Sequence, residues 1–388
     1  MGTIIRGGTV LTPDTQLEHH SVVIDAGRIT AIIPNSDAPD SDYDVLDAPD
    51  CWIVPGFIDV HVHGAAGYDV MDGTPEALHG IARAFARHGV TGFYATTLTA
   101  SNENINAAIK AVRSAKHPSD GAQILGIHLE GPYFNAEYKG AQPGTFLRPP
   151  DPSEYIPWFH SGLVKLMSLA PELPGALEAI RTGRALGVEF AAGHTAADYD
   201  TVSAAADAGL RQGTHTFNGM VGLHHRRPGP AGAILTDDRI YAQIITDGIH
   251  VHPAMVKLLV RAKGIDRTLL VTDAIRATGL SDGTYQLGAH TINVQKGIAR
   301  LAEGNLAGST LTMDAAIRNV MTFAGVSLPE AVAMATRVPA EAMGIDDQKG
   351  RLKPGADADL VILNRELQVV LTMVGERVAF RASPQKNT

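Results

Sequence analysis

The sequence predicts an α/β protein, a (β/α)8 TIM-like barrel carrying a small β-sandwich domain formed by the N- and C-terminal segments. Three observations predict it. Both ends of the chain are rich in short β-branched runs, the middle alternates apolar strand-like and Ala-rich helical stretches, and polar residues recur where those strands end.

The first fifty residues read as TIIRGGTVL, SVVIDAGRITAII and YDVLDAPDCWIV, separated by turn residues, with Asp25-Ala26-Gly27 as a hairpin turn. The C-terminal runs ADADLVILN and LQVVLTMVGERVAF have the same character. Neither set is long enough to make a stable sheet alone, so the two ends are expected to pair as one domain, residues 1–53 with 348–388. Residues 54–347 then form the barrel. Its strands are expected at 55–59, 92–97, 124–130, 164–170, 188–193, 213–217, 241–247 and 269–273, with helices at 75–88, 177–186 and 254–262 among those between. A doubly wound sheet would normally carry a Gly-rich nucleotide turn after its first strand, whereas this first strand runs into His-Val-His-Gly. The last six residues, SPQKNT, read as a frayed tail.

Charge and composition narrow the function. The 388 residues hold 32 Lys and Arg against 41 Asp and Glu, a net charge of −9, which excludes a broad nucleic-acid footprint but not a local site for a small anion. The one cysteine, Cys51, cannot close an intrachain disulfide and fits a reducing cytoplasm. No apolar run suggests a signal h-region or membrane span, so no membrane partner is expected. With thiolates absent, His, Asp and Glu are the ligands to follow.

In a barrel all strands point their C-terminal ends at one face. Those ends carry Asp59, His61 and His63 on strand one, His128 and Glu130 on strand three, His194 on strand five, His215 on strand six and Asp273 on strand eight. Residues i and i+2 of a strand share a side, so His61 and His63 can reach one ion together. His194 and His215 add imidazoles and Glu130 a carboxylate able to bind one metal or bridge two. Nitrogen and oxygen donors without sulfur suit Zn²⁺ first, and also accept Fe²⁺, Mn²⁺ or Co²⁺. An isolated His-x-His is weak evidence, and His194 or Glu130 taken singly could be structural; their common place in the strand rhythm is what a structural reading leaves unexplained. Asp273 is the candidate general acid/base for a metal-activated water, with a further metal ligand or a helix cap as its alternatives.

PGFIDVHVHG opening the barrel, the preceding β segments and the closing GRLKPGADADLVIL resemble the amidohydrolase superfamily. Within it, HLEGPYFN at 128–135, AGHT at 193–196, THTFNGM at 214–220, HHRRPG at 224–229, TDGIH at 246–250, VTDA at 271–274 and LAGST at 306–310 are similar to the N-acetylglucosamine-6-phosphate deacetylases. The resemblance spans essentially the whole chain.

It implies hydrolysis of the N-acetyl amide of N-acetyl-D-glucosamine 6-phosphate in amino sugar catabolism. It implies metal ligands Glu130, His194 and His215, with His61 and His63 for a second ion, and Asp273 as acid/base. Superfamily relatives often bridge two metals with a carboxylated lysine ending strand four; Lys165 sits at the start of that strand, which favours Glu130 as the bridge. Substrate contacts implied are Ala141, Gln142, Asn218, Gly219, Arg226, His250, Leu306, Ala307 and Gly308. The Asn218-Gly219 turn would offer backbone N–H groups to phosphate and Arg226 its planar fork. Some relatives carry His where Gln142 stands, and Arg227 departs from the family's pattern. Relatives are commonly homodimers in which the neighbour completes the phosphate site, so His225 and Arg226 are candidates to act across an interface. The rivals are deacetylation of a galactosamine-type phosphate, a different amidohydrolase reaction, and a catalytically silent barrel.

Overall fold

A computed structural model of the chain describes residues 2–39, 43–115 and 118–383. The tail expected to fray lies outside them from residue 384 onward.

The terminal segments do pair. Gly2–Leu11, Gln16–Asp25, Arg28–Pro34, Tyr43–Asp47 and Trp52–Pro55 share one eight-stranded sheet with Leu360–Leu363, Val369–Val374 and Arg377–Arg381. The seam is antiparallel, Val54 opposite Val361 and Ile53 opposite Ile362. The sheet branches at its first strand, whose residues 2–6 pair in parallel with Tyr43–Asp47 while Thr9 and Val10 pair with Trp52–Pro55. Apolar side chains from both ends, among them Ile5, Val22, Ile53, Leu360 and Met373, fill a core of its own. The expected hairpin is a two-residue turn with Ala26 at φ 48° and Gly27 at φ 75°. Positive φ at both central residues matches the twist of the flanking strands, and glycine accepts it without a Cβ penalty.

Between these segments eight parallel strands follow in chain order: Phe57–Val62, Val90–Thr97, Gln123–Glu130, Val164–Leu169, Glu189–Ala192, Gln212–Gly213, Tyr241–Ile244 and Thr268–Leu270. A parallel bridge from Val62 to Ala274, with Asp273 N–H donating to His61 O at 3.0 Å, joins the eighth segment back to the first. Barrel strands are buried on both faces, and Val90–Thr97 is buried throughout, Thr91, Thr96 and Thr97 included. Helices cover the outside. In Pro75–Ala86, Thr74 caps the Ala77 N–H, proline occupies the first turn, and Leu78, Ile81 and Phe85 bury one face.

Several strand ends differ from expectation, the seventh among them, which stops at Ile244. The sixth strand stops at Gly213 and the eighth at Leu270, so His215 and Asp273 lie past them rather than on them, while the first strand extends to Val62 and includes His61. Beyond the strands, His194, His215 and Asp273 adopt left-handed backbone, φ 48°, 27° and 51°. The chain leaves extended geometry at those residues and turns their side chains inward across the mouth.

A three-stranded antiparallel sheet, Gly283–Leu287, His290–Gln295 and Ile298–Leu301, is inserted after the eighth strand and was not expected from the sequence. Its short strands carry a separate apolar cluster. No helix among the described residues is long and apolar enough to cross a membrane.

Candidate active site

The strand-end residues converge. His61 Nε2 lies 3.2 Å from His63 Nε2 and 3.4 Å from Glu130 Oε1. Glu130 Oε1 is also 3.2 Å from His194 Nε2 and 3.1 Å from His215 Nε2, and Oε2 is 3.2 Å from His63 Nε2. Asp273 Oδ1 stands 3.2 Å from His63 Nε2 and 3.5 Å from His61 Nε2. Two groups with metal-ligand spacing result, His61 with His63 and Asp273, and Glu130 with His194 and His215. Each of the six is at most 7 % exposed.

The donor set fits a cation. His63 Nδ1 faces Thr96 O at 3.3 Å and His194 Nδ1 faces Tyr138 O at 2.9 Å; carbonyls accept, so these nitrogens carry the proton and Nε2 presents a lone pair. Bare Nε2 atoms and carboxylate oxygens facing each other across about 3 Å repel unless positive charge lies between them. With no cation between them, the same groups share protons instead. Burial opposes ionisation of Glu130 and Asp273, yet the His61 charge and imidazole hydrogen bonds hold Glu130 well below the usual carboxylate range and Asp273 at about 2. Burial likewise opposes protonation of His63, and hydrogen bonds to Asp273 and Glu130 outweigh it.

Several side chains named in the sequence take their supporting role only from the structure. Asp59, fully buried and pushed up to about 7 by that burial, accepts from His61 N–H at 3.1 Å and from Thr272 Oγ1 at 2.6 Å. It ties the segment before His61 to the one before Asp273. Gln142 Nε2 donates to Glu130 Oε2 at 2.6 Å while its Oε1 accepts from Thr99 N–H at 2.8 Å, so this side chain engages the carboxylate. His128 faces away from the cluster, Nε2 at 2.7 Å from Ser168 Oγ and its ring edge-on to His61; burial, with the nearby His61, keeps it neutral. Lys165 is exposed on the fourth strand.

Glu172 is a further support. It accepts from Ala196 N–H at 2.7 Å, Thr195 Oγ1 at 2.5 Å and Asn135 Nδ2 at 3.1 Å, while Asn135 N–H donates to His194 O at 2.9 Å. These bonds clamp the strained turn at His194, and the absence of a Cβ at Gly219 leaves room for that ring, since one there would stand 2.7 Å from His194 Nδ1. Glu172→Ala is expected to weaken metal binding by about 10–100-fold, measured by chelator competition. Unchanged affinity would show that the clamp is dispensable.

A cavity of about 240 Å³ opens above the cluster. His63, Glu130, His194, His215 and Asp273 form its floor, and Ala141, Gln142, Asn218, Gly219, His250, Leu306 and Gly308 line it with Leu98, Leu287 and Asn305. His61 is buried behind the floor, and Ala307 is buried beneath the wall. His250 is held by Asp247, Nδ1 to Oδ2 at 2.7 Å; burial opposes its protonation, and Asp247 raises its pKa all the same. Asn218 spends both its N–H and its Nδ2 on His215 O, at 2.9 and 3.1 Å, so the backbone donor expected for phosphate is already bonded. Arg226 stands apart: it is exposed and lines a neighbouring cleft with His224, Arg227 and Tyr199.

The amidohydrolase family model matches residues 52–379. An N-acetylglucosamine-6-phosphate deacetylase of Vibrio furnissii is 42 % identical over 334 residues, covering 85 % of this chain and 84 % of the relative. An N-acetylgalactosamine-6-phosphate deacetylase of Escherichia coli is 41 % identical over 372 residues, covering 95 % and 97 %. The crystal structure of N-acetylglucosamine-6-phosphate deacetylase from Pasteurella multocida superposes with a TM-score of 0.93 at 28 % identity, covering 97 % of this chain and 99 % of that one. The match runs from the strand preceding the barrel almost to the end of the terminal sheet, and the chain belongs to the amidohydrolase family.

Proposed function

We propose that this chain hydrolyses the N-acetyl amide of N-acetyl-D-glucosamine 6-phosphate, giving D-glucosamine 6-phosphate and acetate. The observation that carries this reading is the pair of ligand groups meeting at Glu130, with Asp273 beside them, on the floor of a cavity sized for a sugar. Its support from similarity is the deacetylase relatives covering nearly the whole chain.

Glu130, His194 and His215 would hold one divalent cation, and His61 and His63 a second, with Glu130 between them. Zn²⁺ is the first assignment for these nitrogen and oxygen donors. A bound cation supplies Lewis acidity, polarising the amide carbonyl and easing deprotonation of water. Asp273 takes the proton from the attacking water and delivers it to the departing nitrogen. Its depressed pKa keeps it ionised, ready to act first as base. Gln142 and Asp59 fix Glu130 and the His61 segment, and His250, set by Asp247, offers a donor to the sugar.

Among the described residues no Lys or Arg lines the cavity, although the substrate carries a phosphate. Arg226, exposed on a neighbouring cleft outside the cavity, is assigned to the phosphate of the other subunit in a homodimer whose neighbour completes the site. Arg226→Ala is expected to raise KM for the phosphorylated sugar about 10-fold or more, as loss of a charged hydrogen bond does, and to leave any turnover of the unphosphorylated sugar unchanged. Equal effects on both substrates would refute the assignment. Cys51, partly buried and alone, fits a reducing compartment, and we place the enzyme in the cytoplasm.

A second reading, the galactosamine epimer, is favoured by the relative so named at 41 % identity over nearly the full chain. Acetate release from the two phosphorylated epimers, with metal content measured on the same sample, decides between them. Failure to release acetate from either would overturn the deacetylase reading.

A further inference from the structure

The cavity above the cluster has two unlike sides. Asn218 and Gly219 follow the sixth barrel strand and His250 follows the seventh, so the Asn218 Oδ1 and the His250 imidazole, polar groups that can meet sugar hydroxyls, lie together. Leu98 follows the second strand, which in a ring of eight stands opposite the sixth. Leu98 does not stand alone. It belongs to the apolar cluster of the inserted three-stranded sheet with Leu287, Ile275 and Ala307, and Ala141 packs against that cluster. The insert touches it closely: a methyl group at Gly288, in the turn after Leu287, would come within 3.2 Å of Leu98 Cδ1. Leu98 is 4 % exposed and Leu287 2 %, and what exposure remains to them borders the cavity.

The proposed substrate has one carbon that bears no oxygen or nitrogen, the methyl of its acetyl group. The sugar and its phosphate are polar throughout. With the amide held over Glu130 and Asp273, a sugar directed to the polar side sends the methyl to the other. The floor of histidines and carboxylates lies between the two.

We propose that Leu98 and Leu287 form the subsite for the acyl group and set the length of acyl chain this enzyme removes. This rests on the deacetylase reading and deepens it. Both leucines are anchored in a packed cluster rather than on a free loop, so the wall resists displacement by a longer chain. A misfit of one methylene in such a pocket is worth about 10–200-fold in kcat/KM.

The test compares N-acetyl, N-propionyl and N-butyryl glucosamine 6-phosphate on the wild-type protein and on Leu98→Ala and Leu287→Ala. The wild type is expected to lose roughly 10-fold or more in kcat/KM per added methylene, and either alanine variant to raise the butyryl-to-acetyl ratio by about 10-fold or more. Because the ratio is taken within one sample, partial misfolding of a variant cancels; Leu98→Val, a smaller cut, is expected to move the ratio the same way by less. A wild type that cleaves butyryl and acetyl substrates equally well, or a ratio unmoved in every variant, overturns the proposal. Acetate release with flat ratios sinks the acyl subsite alone, whereas no acetate release from the wild type sinks the deacetylase reading beneath it.

Discussion

Asp273→Asn is expected to leave a folded, metal-loaded protein whose turnover falls about 10²–10⁴-fold, the usual contribution of a positioned acid/base. The carboxylate is buried, its Oδ1 is 3.2 Å from His63 Nε2, and the neighbouring His61 and His63 keep it ionised against the cost of burial. An asparagine of the same shape fills the space but cannot accept and return a proton. The measurements are kcat and metal equivalents per chain. Near-normal turnover would show that Asp273 is not the base. Loss of one metal equivalent would instead identify it as a ligand beside His61 and His63, the alternative that its position in that group keeps open.

Glu130→Gln is expected to abolish both metal retention and turnover, with metal content falling to roughly a tenth of wild type or below after dialysis. Glu130 is the hub of the cluster, within 3.4 Å of four imidazole nitrogens. A neutral amide removes the charge that balances a cation. It also places an N–H either on the imidazole lone pairs, occupying them by hydrogen bonding in place of a cation, or donor against donor with Gln142 Nε2, which in the wild type donates to Glu130 Oε2 at 2.6 Å. A Glu130→Gln protein that held its full metal complement would contradict the bridging role. Comparing the two variants separates proton transfer from metal binding, since the first should spare the metal and the second should not.

Much of the architecture was legible because it is written in local pattern. Short β-branched runs and the Asp25-Ala26-Gly27 turn marked the terminal hairpins, and apolar runs alternating with Ala-rich helical stretches marked the barrel strands. The inserted sheet at 283–301 left a fainter mark, the alternation of His290–Gln295. Its strands are four to six residues long, only partly buried and polar on one face, so their pairing depends on the cluster they share with Leu98 and Ala307. The ends of the sixth and eighth strands were hidden, because His215 and Asp273 leave the sheet through left-handed backbone that no propensity requires of His or Asp.

The sequence by itself determined the barrel, the pairing of the two termini and the chemical kind of the site, since residue types at strand ends are a one-dimensional record of one face. Tertiary structure alone decided how those residues act on one another. Barrel closure through Val62 and Ala274 brings His61 and His63 to Asp273, packing turns Gln142 onto Glu130 and Glu172 onto the His194 turn, and Arg226 lies exposed on a separate cleft. The physical reason is range. Periodicity and turn preference are fixed by neighbours a few residues away, whereas these contacts join residues 12 to more than 200 positions apart, and only the folded core sets their distance.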